Sequence, residues 1–473
     1  MPHAMIFEEH ASVLPHWIAC GVHDATVVCL DAHLDLQFIA PERIAQLRAC
    51  RTAAEVARLE SAHPLSPRRD SCYGIEDFLY AAAQLGVLRR LVWVAPPHVL
   101  ASVDGAFAAL QQMEGVTPEQ LASFHRDPRG WIEGELLGVP ITALEWQQLA
   151  SYQCEEPVVV DIDADYFVKV PQDRIWARPR VIATALRDAF PAVDELTIAR
   201  SVGTGFLPLR HRFVADHLAA FWEGRHDEER HWQHLLEIET SNAPDAEKAA
   251  ALRALLAVRP GCAATCHALA TVTSDAAERA VLLARAAALD PHYGGDLLRH
   301  LGVLRARQEG LDLAAVLRLH GQLARWDDGT ERAGPAWVAL GLLYAAFGRL
   351  ADAMACDLRS LRYGPGHPDL ALQIGRLHMA AGDDAGAQPW LERAAVDDET
   401  RVAAWLHLSV CASRRGALEE AWNWAHAAHE AAPAWPETSR WLESLGGSPG
   451  YDNGWEPAQQ RNGPALGRER GAG

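Results

Sequence analysis

The second half of the chain repeats with a period of about 34 residues, and this period restricts its possible folds more than any other sequence feature. Aromatic, leucine and small residues recur at matching places in three successive units: Trp337, Leu340, Gly341, Tyr344, Gly348, Ala353 and Pro365, then Ile374, Gly375, Gly382, Ala387 and Ala394, then Trp405, Leu408, Gly416, Ala421, Ala428 and Pro433. Units of this length are helix pairs that bury their apolar faces by stacking. The small residues let two helices approach closely, and the prolines end the second helix. The sequence therefore predicts an all-α superhelix here.

The spacing is similar to that of tetratricopeptide repeats. Leu301-Gly302, Ala286 and Pro291 indicate one or two degraded units upstream, out of register because residues 326–334 look like an insertion. We place the repeat domain at residues 243–446, and we expect the glycine-rich, polar tail at 447–473 to be disordered. An array of this kind offers a curved surface for a peptide or protein partner.

The first half of the chain alternates β-branched runs with helical segments. Short apolar runs that read as buried strands lie at residues 26–30, 91–94, 157–160 and 196–199. Helical patterns at 41–59 and 74–85 separate the first two runs, as in the crossover units of a parallel sheet. We therefore predict an α/β domain at residues 1–235, with a parallel sheet and flanking helices.

The charge balance narrows the choice of partners. The chain has 43 basic and 62 acidic residues and a formal net charge of -19, which repels phosphate backbones. No apolar run approaches the roughly 20 residues that a membrane-spanning helix needs, and the first residues lack the layout of a signal peptide. We expect a cytoplasmic protein that binds neither nucleic acid nor membrane.

Two acidic motifs follow predicted strands. The run at 26–30 leads into Asp31, His33 and Asp35, and alternation along an extended segment puts these three side chains on one face. The run at 157–160 leads in the same way into Asp161, Asp163 and Asp165. Ligands of open α/β sheets bind at the carboxyl ends of strands. His10, which follows the short apolar piece 5–7, is a candidate for a further ligand.

The residue types in these motifs point to divalent cations. Carboxylates and imidazoles crowded on one side of a sheet repel one another and are badly solvated unless a cation holds them. Oxygen-rich ligands with one or two imidazoles suit manganese better than a structural zinc site with thiolates. The carboxylates exceed what one ion needs, so we expect two ions, about 3.5–4 Å apart, that activate a water for hydrolysis.

These motifs resemble the arginase and agmatinase (ureohydrolase) superfamily, whose members hydrolyse guanidino groups at a di-manganese site. The flanking residues look more like the uncharacterised-protein family UPF0489, an arginase-like branch that includes peptide arginases. The similarity lies between about residues 5 and 211, in the following segments: Glu9-His10, Leu14-Pro15-His16-Trp17, Asp31-Ala32-His33-Leu34-Asp35, Val92-Trp93-Val94-Ala95-Pro96 and Asp161-Ile162-Asp163-Ala164-Asp165-Tyr166-Phe167.

The resemblance implies a role for each ligand. Asp31 would bridge two ions, His10 and Asp35 would complete one, and His33 would bind the other. The second motif fits in two registers, either as Asp163 with Asp165 or as Asp161 with Asp163.

The resemblance does not identify the groups that bind the substrate or transfer protons to it. The segment 196–205, where an arginase supplies a glutamate toward the guanidinium, contains no acid. Glu76 and Asp77 are candidates instead, although capping of the following helix also explains Asp77. The proton shuttle stays open among four histidines: His16, His23, His63 and His98.

The resemblance implies a manganese-dependent hydrolase that converts arginine residues of a peptide or protein into ornithine and releases urea. The repeat array would hold the rest of the substrate chain. An amide hydrolase of deacetylase type is the first alternative, and Asp35 is the residue that distinguishes it, because the deacetylase motif lacks this second aspartate. The second alternative is a tetratricopeptide scaffold that carries a non-catalytic arginase-like domain.

Overall fold

The computed structural model combines a mixed sheet flanked by helices with an all-helical repeat region. It describes residues 2–61, 70–100, 110–154, 157–169, 174–294, 312–327, 333–363, 368–398 and 400–446. The predicted repeat positions Leu301, Gly302 and Pro365 lie outside the described residues, as does the predicted tail at 447–473.

Eight strands form one sheet in the order β1-β10-β7-β2-β3-β6-β5-β4, and β8 pairs with β9 in a separate ribbon. The strands are β1 (His3–Phe7), β2 (Ala25–Leu30), β3 (Leu88–Val94), β4 (His125–Arg126), β5 (Ile132–Leu136), β6 (Val139–Leu144), β7 (Val158–Asp163), β8 (Val168–Lys169), β9 (Arg174–Ile175) and β10 (Glu195–Ala199). The six strands from β1 to β6 in this order are parallel, and β5 and β4 add an antiparallel edge.

Short helices surround this sheet. They are α1 (Val13–Ala19), α2 (Pro41–Ala49), α3 (Ala53–Ala57), α4 (Phe78–Gln84), α5 (Pro97–Leu100), α6 (Pro118–Ser123), α7 (Pro179–Ala189) and α8 (Phe213–Trp222). Every residue of β2 is buried, as expected for a central parallel strand that is covered on both faces. Val28 and Leu30 pack with residues of α7 and α8, whereas Val27 and Cys29 pack with residues of α1, α2 and α4.

The remaining helices continue the chain to its last described residue. They are α9 (His226–Thr240), α10 (Asp245–Val258), α11 (Ala263–Val272), α12 (Ala276–Leu289), α13 (Leu313–Trp326), α14 (Ala333–Ala346), α15 (Leu350–Ser360), α16 (Pro368–Ala380), α17 (Asp384–Ala394), α18 (Arg401–Arg414), α19 (Leu418–Ala431) and α20 (Pro436–Gly446). Helix α9 runs past the predicted boundary at residue 235 and ends at Thr240, before the second predicted domain at 243–446.

The three predicted units are helix pairs: α14 with α15, α16 with α17, and α18 with α19. Gly348, Gly382 and Gly416 follow the first helix of each pair, and all three have positive φ angles, between 69° and 78°. This left-handed conformation is strained for other residues, which explains why glycine recurs at the period. The small residue Gly375 lies at a helix crossing, where an added Cβ would be 2.7 Å from Leu391 Cδ2. The structure thus confirms the helical repeat region.

The end of the repeat region contacts the α/β part. The Asp398 carboxylate, between α17 and α18, accepts a hydrogen bond from the Ala40 amide and lies 3.0 Å from the Arg43 guanidinium. Farther along, the Gly115 amide donates to the Ala431 carbonyl at 3.0 Å, and Ala434 packs into the core beside α4. The Asp398 contacts hold the array against the loop that leads from β2 to α2 and against α2 itself.

Three features differ from the sequence prediction. The single helix expected at 41–59 is two helices, α2 and α3, because the chain is extended at Cys50 and Thr52. The helix expected at 74–85 begins only at Phe78. The sequence pattern does not predict the hairpin of β5 and β6.

No helix among the described residues is both long and apolar enough to cross a bilayer.

Candidate metal centre

The predicted ligands lie together because their strands are neighbours in the sheet. Asp31 directly follows β2, Asp163 ends β7, and His10 lies three residues beyond β1. Strand β10 lies between β1 and β7, and Ser201 follows its carboxyl end. Parallel strands bring their carboxyl ends to one edge of the sheet, so side chains from four places in the sequence converge there.

Two groups of three potential ligands share one carboxylate. The first group consists of His10, Asp31 and Asp35, and the second of Asp31, His33 and Asp165. In the first, His10 Nδ1 lies 3.0 Å from Asp35 Oδ2 and 3.2 Å from Asp31 Oδ2. In the second, His33 Nδ1 lies 2.9 Å from Asp165 Oδ2 and 3.6 Å from Asp31 Oδ1. The two oxygens of Asp31 therefore face different groups, as expected for a carboxylate that bridges two ions.

Asp161 lies behind His10. Its Oδ2 is 2.6 Å from His10 Nε2, and its Oδ1 accepts a hydrogen bond of 2.5 Å from the Thr197 hydroxyl. The Cys29 thiol also points to the Asp161 Oδ2 atom, at 3.7 Å. Both oxygens thus have partners, and the carboxylate orients the ring so that Nδ1 faces the other ligands. A carboxylate on the second nitrogen of a metal-binding histidine is a common arrangement. This placement favours the register in which Asp163 and Asp165, and not Asp161, would be the metal ligands.

Asp163 lies between the two groups. Its Oδ2 accepts a hydrogen bond of 2.5 Å from the Ser201 hydroxyl and lies 3.4 Å from His10 Nδ1, while its Oδ1 accepts from the Asp165 amide. Ser201 and Asp35 both have positive φ angles, of 47° and 45°. A left-handed backbone at residues other than glycine is uncommon and clusters at functional sites.

The buried carboxylates shift one another's pKa values. Burial, followed by the charge of Asp31, raises the pKa of Asp35 to about 7. Burial and then Asp165 raise the pKa of Asp163, and burial and then Asp31 raise that of Asp165. Burial also raises the pKa of Asp31, but hydrogen bonds from His10 and His33 outweigh it and lower that pKa overall. Without cations, the cluster must therefore hold protons that a bound ion would replace.

The donor set fits two divalent cations. Four carboxylates, those of Asp31, Asp35, Asp163 and Asp165, balance the charge of two such ions. Asp31 Oδ2 and Asp165 Oδ2 are buried, and neither has a well-directed hydrogen bond among the described residues, with His10 Nδ1 and His33 Nδ1 at 3.2 and 2.9 Å as their neighbours. A buried carboxylate oxygen without a partner is costly, and a cation removes that cost. The His33 side chain is 48% exposed and contacts the Phe206 ring, so the second group is open to solvent.

The predicted substrate-binding residues lie on the loop that enters α4. Asp77 precedes α4 but makes no side-chain hydrogen bond to that helix; its carboxylate accepts from the Gly74 amide at 2.7 Å and is buried. Glu76 Oε2 lies 3.4 Å from the Gln37 amide nitrogen. Helix capping therefore does not describe Asp77, and guanidinium binding by Glu76 and Asp77 stays a prediction.

Two residues at this edge of the sheet, Ser201 and Thr204, are not among the candidates predicted from the sequence, and neither is the contact that Thr204 makes with Glu9. The Thr204 hydroxyl donates to Glu9 Oε2 at 2.9 Å, and a Cβ at position 203 would collide with Glu9. Glu9 thus lies against the loop after β10, which has no acid of its own. The signal in the sequence was the small Gly203 with Ser201 and Thr204, which only the β1–β10 pairing connects to Glu9.

The described candidates for the proton shuttle lie at different edges of the sheet. His16 lies 2.7 Å from Glu195, at the start of β10, and His23 comes just before β2; both are at the amino-terminal edge. His98, in α5, follows the carboxyl end of β3, and its ring contacts Trp176. His63 lies outside the described residues. Of the three described candidates, only His98 is at the edge that carries the ligands.

No family model matches the chain, and no curated protein matches it significantly. Solved structures of tetratricopeptide-repeat proteins are similar to it in part. The pilF protein of Pseudomonas aeruginosa matches with 17% identity and a TM-score of 0.29, over 46% of this chain and 99% of that one. The Cut9–Hcn1 hetero-tetramer of the APC/C matches with 13% identity and a TM-score of 0.26, over 56% of this chain and 54% of that one. At these scores neither likeness carries an argument about function.

Proposed function

We propose that the chain is a manganese-dependent hydrolase that acts on the guanidino group of arginine residues in a peptide or protein, giving ornithine and urea. The observation that carries this proposal is the shared Asp31, whose two oxygens face two separate groups of ligands. An ion bound in each group would supply an activated water for attack on the guanidinium carbon.

The residues of the chain have distinct parts in this proposal. Asp161 and Ser201 hold His10 and Asp163 in place, through bonds of 2.6 and 2.5 Å. Glu9, two residues after β1, and Glu76, in the loop before α4, would offer carboxylates to a cationic side chain of the substrate. His98 is the candidate to move a proton to the departing ornithine amine, because among the described candidates it alone follows the carboxyl end of a strand at the edge that carries the ligands.

Two features favour a peptide over free arginine. The exposed flank of His33 leaves one side of the centre open to a large substrate. The repeat array contacts the loop between β2 and α2, close to Asp35, through Asp398 and Ala40. A chain held by the array would therefore have a high local concentration near the centre.

Mass spectrometry of arginine-containing peptides incubated with the protein and Mn²⁺ tests the proposal. Hydrolysis adds water and releases urea, so each converted arginine loses the composition CH2N2. We expect this loss with the wild-type protein and none with Asp31→Asn. Asp24→Asn is the matched control, because Asp24 is exposed at the opposite edge of the sheet, before β2, and should retain full conversion.

The bound metal separates the alternatives. Two manganese ions per chain with converted peptides support the proposal. Peptides of unchanged mass in the presence of two bound ions would refute guanidino hydrolysis. One zinc ion and cleavage of an acyl amide would indicate a deacetylase-type enzyme, and no bound metal at all would leave the helical-repeat scaffold as the function.

A further inference from the structure

A second group of metal-ligand side chains lies at the amino-terminal edge of the sheet, opposite the candidate metal centre. Its members are His3, His16, Cys20 and Glu195. His3 and Glu195 begin the neighbouring strands β1 and β10 and are paired in register. His16 and Cys20 are one helical turn apart, in α1 and directly after it, and His16 contacts Glu195 at this edge. Residues four apart on a helix project to the same side, a common spacing for two ligands of one ion.

Donor atoms of His16, Cys20 and Glu195 lie within 4.8 Å of one another, and His3 contacts the second oxygen of the same Glu195 carboxylate. His16 Nε2 lies 2.7 Å from Glu195 Oε1, and His3 Nε2 lies 2.5 Å from Glu195 Oε2. The Cys20 sulfur lies 3.6 Å from His16 Nε2. In a tetrahedral zinc site with Zn–S of about 2.3 Å and Zn–N of about 2.0 Å, a sulfur and a nitrogen ligand are about 3.5 Å apart. The observed spacing of Cys20 and His16 matches this value, and an ion would replace the histidine–glutamate hydrogen bonds.

The donor types differ from those of the first centre. One thiolate, two imidazoles and one carboxylate form a set that prefers zinc, whereas the carboxylate-rich centre at the opposite edge prefers manganese. All four side chains are accessible; Cys20 is exposed, and the side chains of His3 and His16 are 51% and 18% exposed. A zinc ion could therefore enter without unfolding of the chain.

We propose that His3, His16, Cys20 and Glu195 form a structural zinc site. The ion would tie the edge strand β1 to both α1 and β10. Among the described strands β1 has a neighbour on only one side, and its far end leads through Glu8 and Glu9 to His10. Zinc at the first residue of β1 would thus fix the strand that delivers His10 to the other edge. This proposal does not depend on the hydrolase activity.

Cobalt substitution tests the site, because a thiolate bound to Co²⁺ gives a charge-transfer band in the near ultraviolet that oxygen and nitrogen ligands do not give. The full chain, stripped of metal and titrated with Co²⁺, should show this band, and Zn²⁺ should abolish it. Cys20→Ser should remove the band. Cys29→Ala should retain it, since Cys29 is the thiol beside the first centre.

Metal content gives an independent measurement. After exposure to Zn²⁺ and desalting, the triple variant His3→Ala, His16→Ala, Cys20→Ser should hold one ion fewer per chain than the wild type. Absence of the charge-transfer band in the wild type, its survival in Cys20→Ser, or equal zinc content in the wild type and the triple variant would each overturn the proposal. Far-ultraviolet circular dichroism checks that the variants are folded. Failure of peptide conversion would not affect any of these measurements.

Discussion

Replacement of Asp161 should weaken manganese binding without removing an ion. The carboxylate bonds to His10 Nε2 at 2.6 Å and to the Thr197 hydroxyl at 2.5 Å, so it fixes the ring but does not face the proposed ion positions. Loss of such a partner typically costs about 10–100-fold in metal affinity, or about 1.4–2.8 kcal/mol. Asp161 therefore tests both the role of His10 and the register of the second motif.

Two substitutions should bracket this range. Asp161→Asn keeps the shape, and its amide oxygen can still accept from His10 if the Thr197 hydroxyl turns to donate to the Val160 carbonyl, 3.4 Å away. Only the charge is then lost, so we expect about the tenfold end of the range. Asp161→Ala also loses the hydrogen bond and should reach about 100-fold. Thr197→Val, the control, leaves the carboxylate in place and should weaken binding less than either.

Titration with Mn²⁺, followed by the electron paramagnetic resonance signal of the free ion, gives both affinity and stoichiometry. We expect two ions per chain in Asp161→Ala, one bound more weakly, and one ion in Asp165→Ala. Unchanged affinity in Asp161→Ala would mean that His10 binds no ion. The reverse stoichiometry, with one ion in Asp161→Ala and two in Asp165→Ala, would show that Asp161 is a ligand and that the geometric assignment is wrong.

Three further predictions concern stability. In metal-free protein the pKa of Asp35 is raised to about 7, so the folded state holds a proton that the unfolded state has lost, and stability should fall as the pH rises from about 4 to about 7. The gain in melting temperature on adding Mn²⁺ should therefore widen over that interval, and a constant gain would contradict this reasoning. Burial lowers the pKa of His407 to about 3, so stability should fall as the pH drops below about 6.5. Between about pH 7 and pH 5, the free energy of unfolding in urea should fall by about 2 kcal/mol less in His407→Leu than in the wild type. An equal fall in both proteins would show that the buried imidazole is not responsible. Gly375→Ala should cost about 1–3 kcal/mol by overpacking, because its Cβ would lie 2.7 Å from Leu391 Cδ2. Gly321→Ala should instead stabilise the fold by up to about 1 kcal/mol, because its Cβ would meet only the Arg325 side chain, at 3.8 Å. Similar effects of the two substitutions on thermal unfolding would refute the packing argument.

Periodicity predicted the parts of the structure that depend on neighbours in sequence. The 34-residue period located Gly348, Gly382 and Gly416 correctly, because each repeats the same turn with a positive φ. The β-branched runs located four strands, because burial on both faces requires apolar residues throughout. The hairpin of β5 and β6 escaped notice, since Ile132–Leu136 contains two glutamates and a glycine and lies toward an edge of the sheet.

Contacts between distant segments could not be predicted in the same way. The sequence places Asp161, Asp163 and Asp165 on one extended face, but it does not show which of them lies behind His10. That distinction comes from register: Asp161 lies between Cys29 of β2 and Thr197 of β10, below the edge, while the chain turns into a short helix after Asp163. The group at the opposite edge depends in the same way on the pairing of His3 with Glu195, which are 192 residues apart.

The repeat array and the candidate metal centre are connected through one short loop. Asp35, which contacts His10 and has a strained backbone, is five residues before Ala40, whose amide bonds to Asp398 of the array. Asp398 also lies 3.0 Å from Arg43, and Arg401 contacts Glu114, so the attachment has several points. A displacement of Asp398 would therefore act on the loop that carries Asp35. Because a ligand position changes metal affinity when it shifts by fractions of an ångström, binding to the array and metal occupancy should be thermodynamically coupled, each changing the other by the same factor.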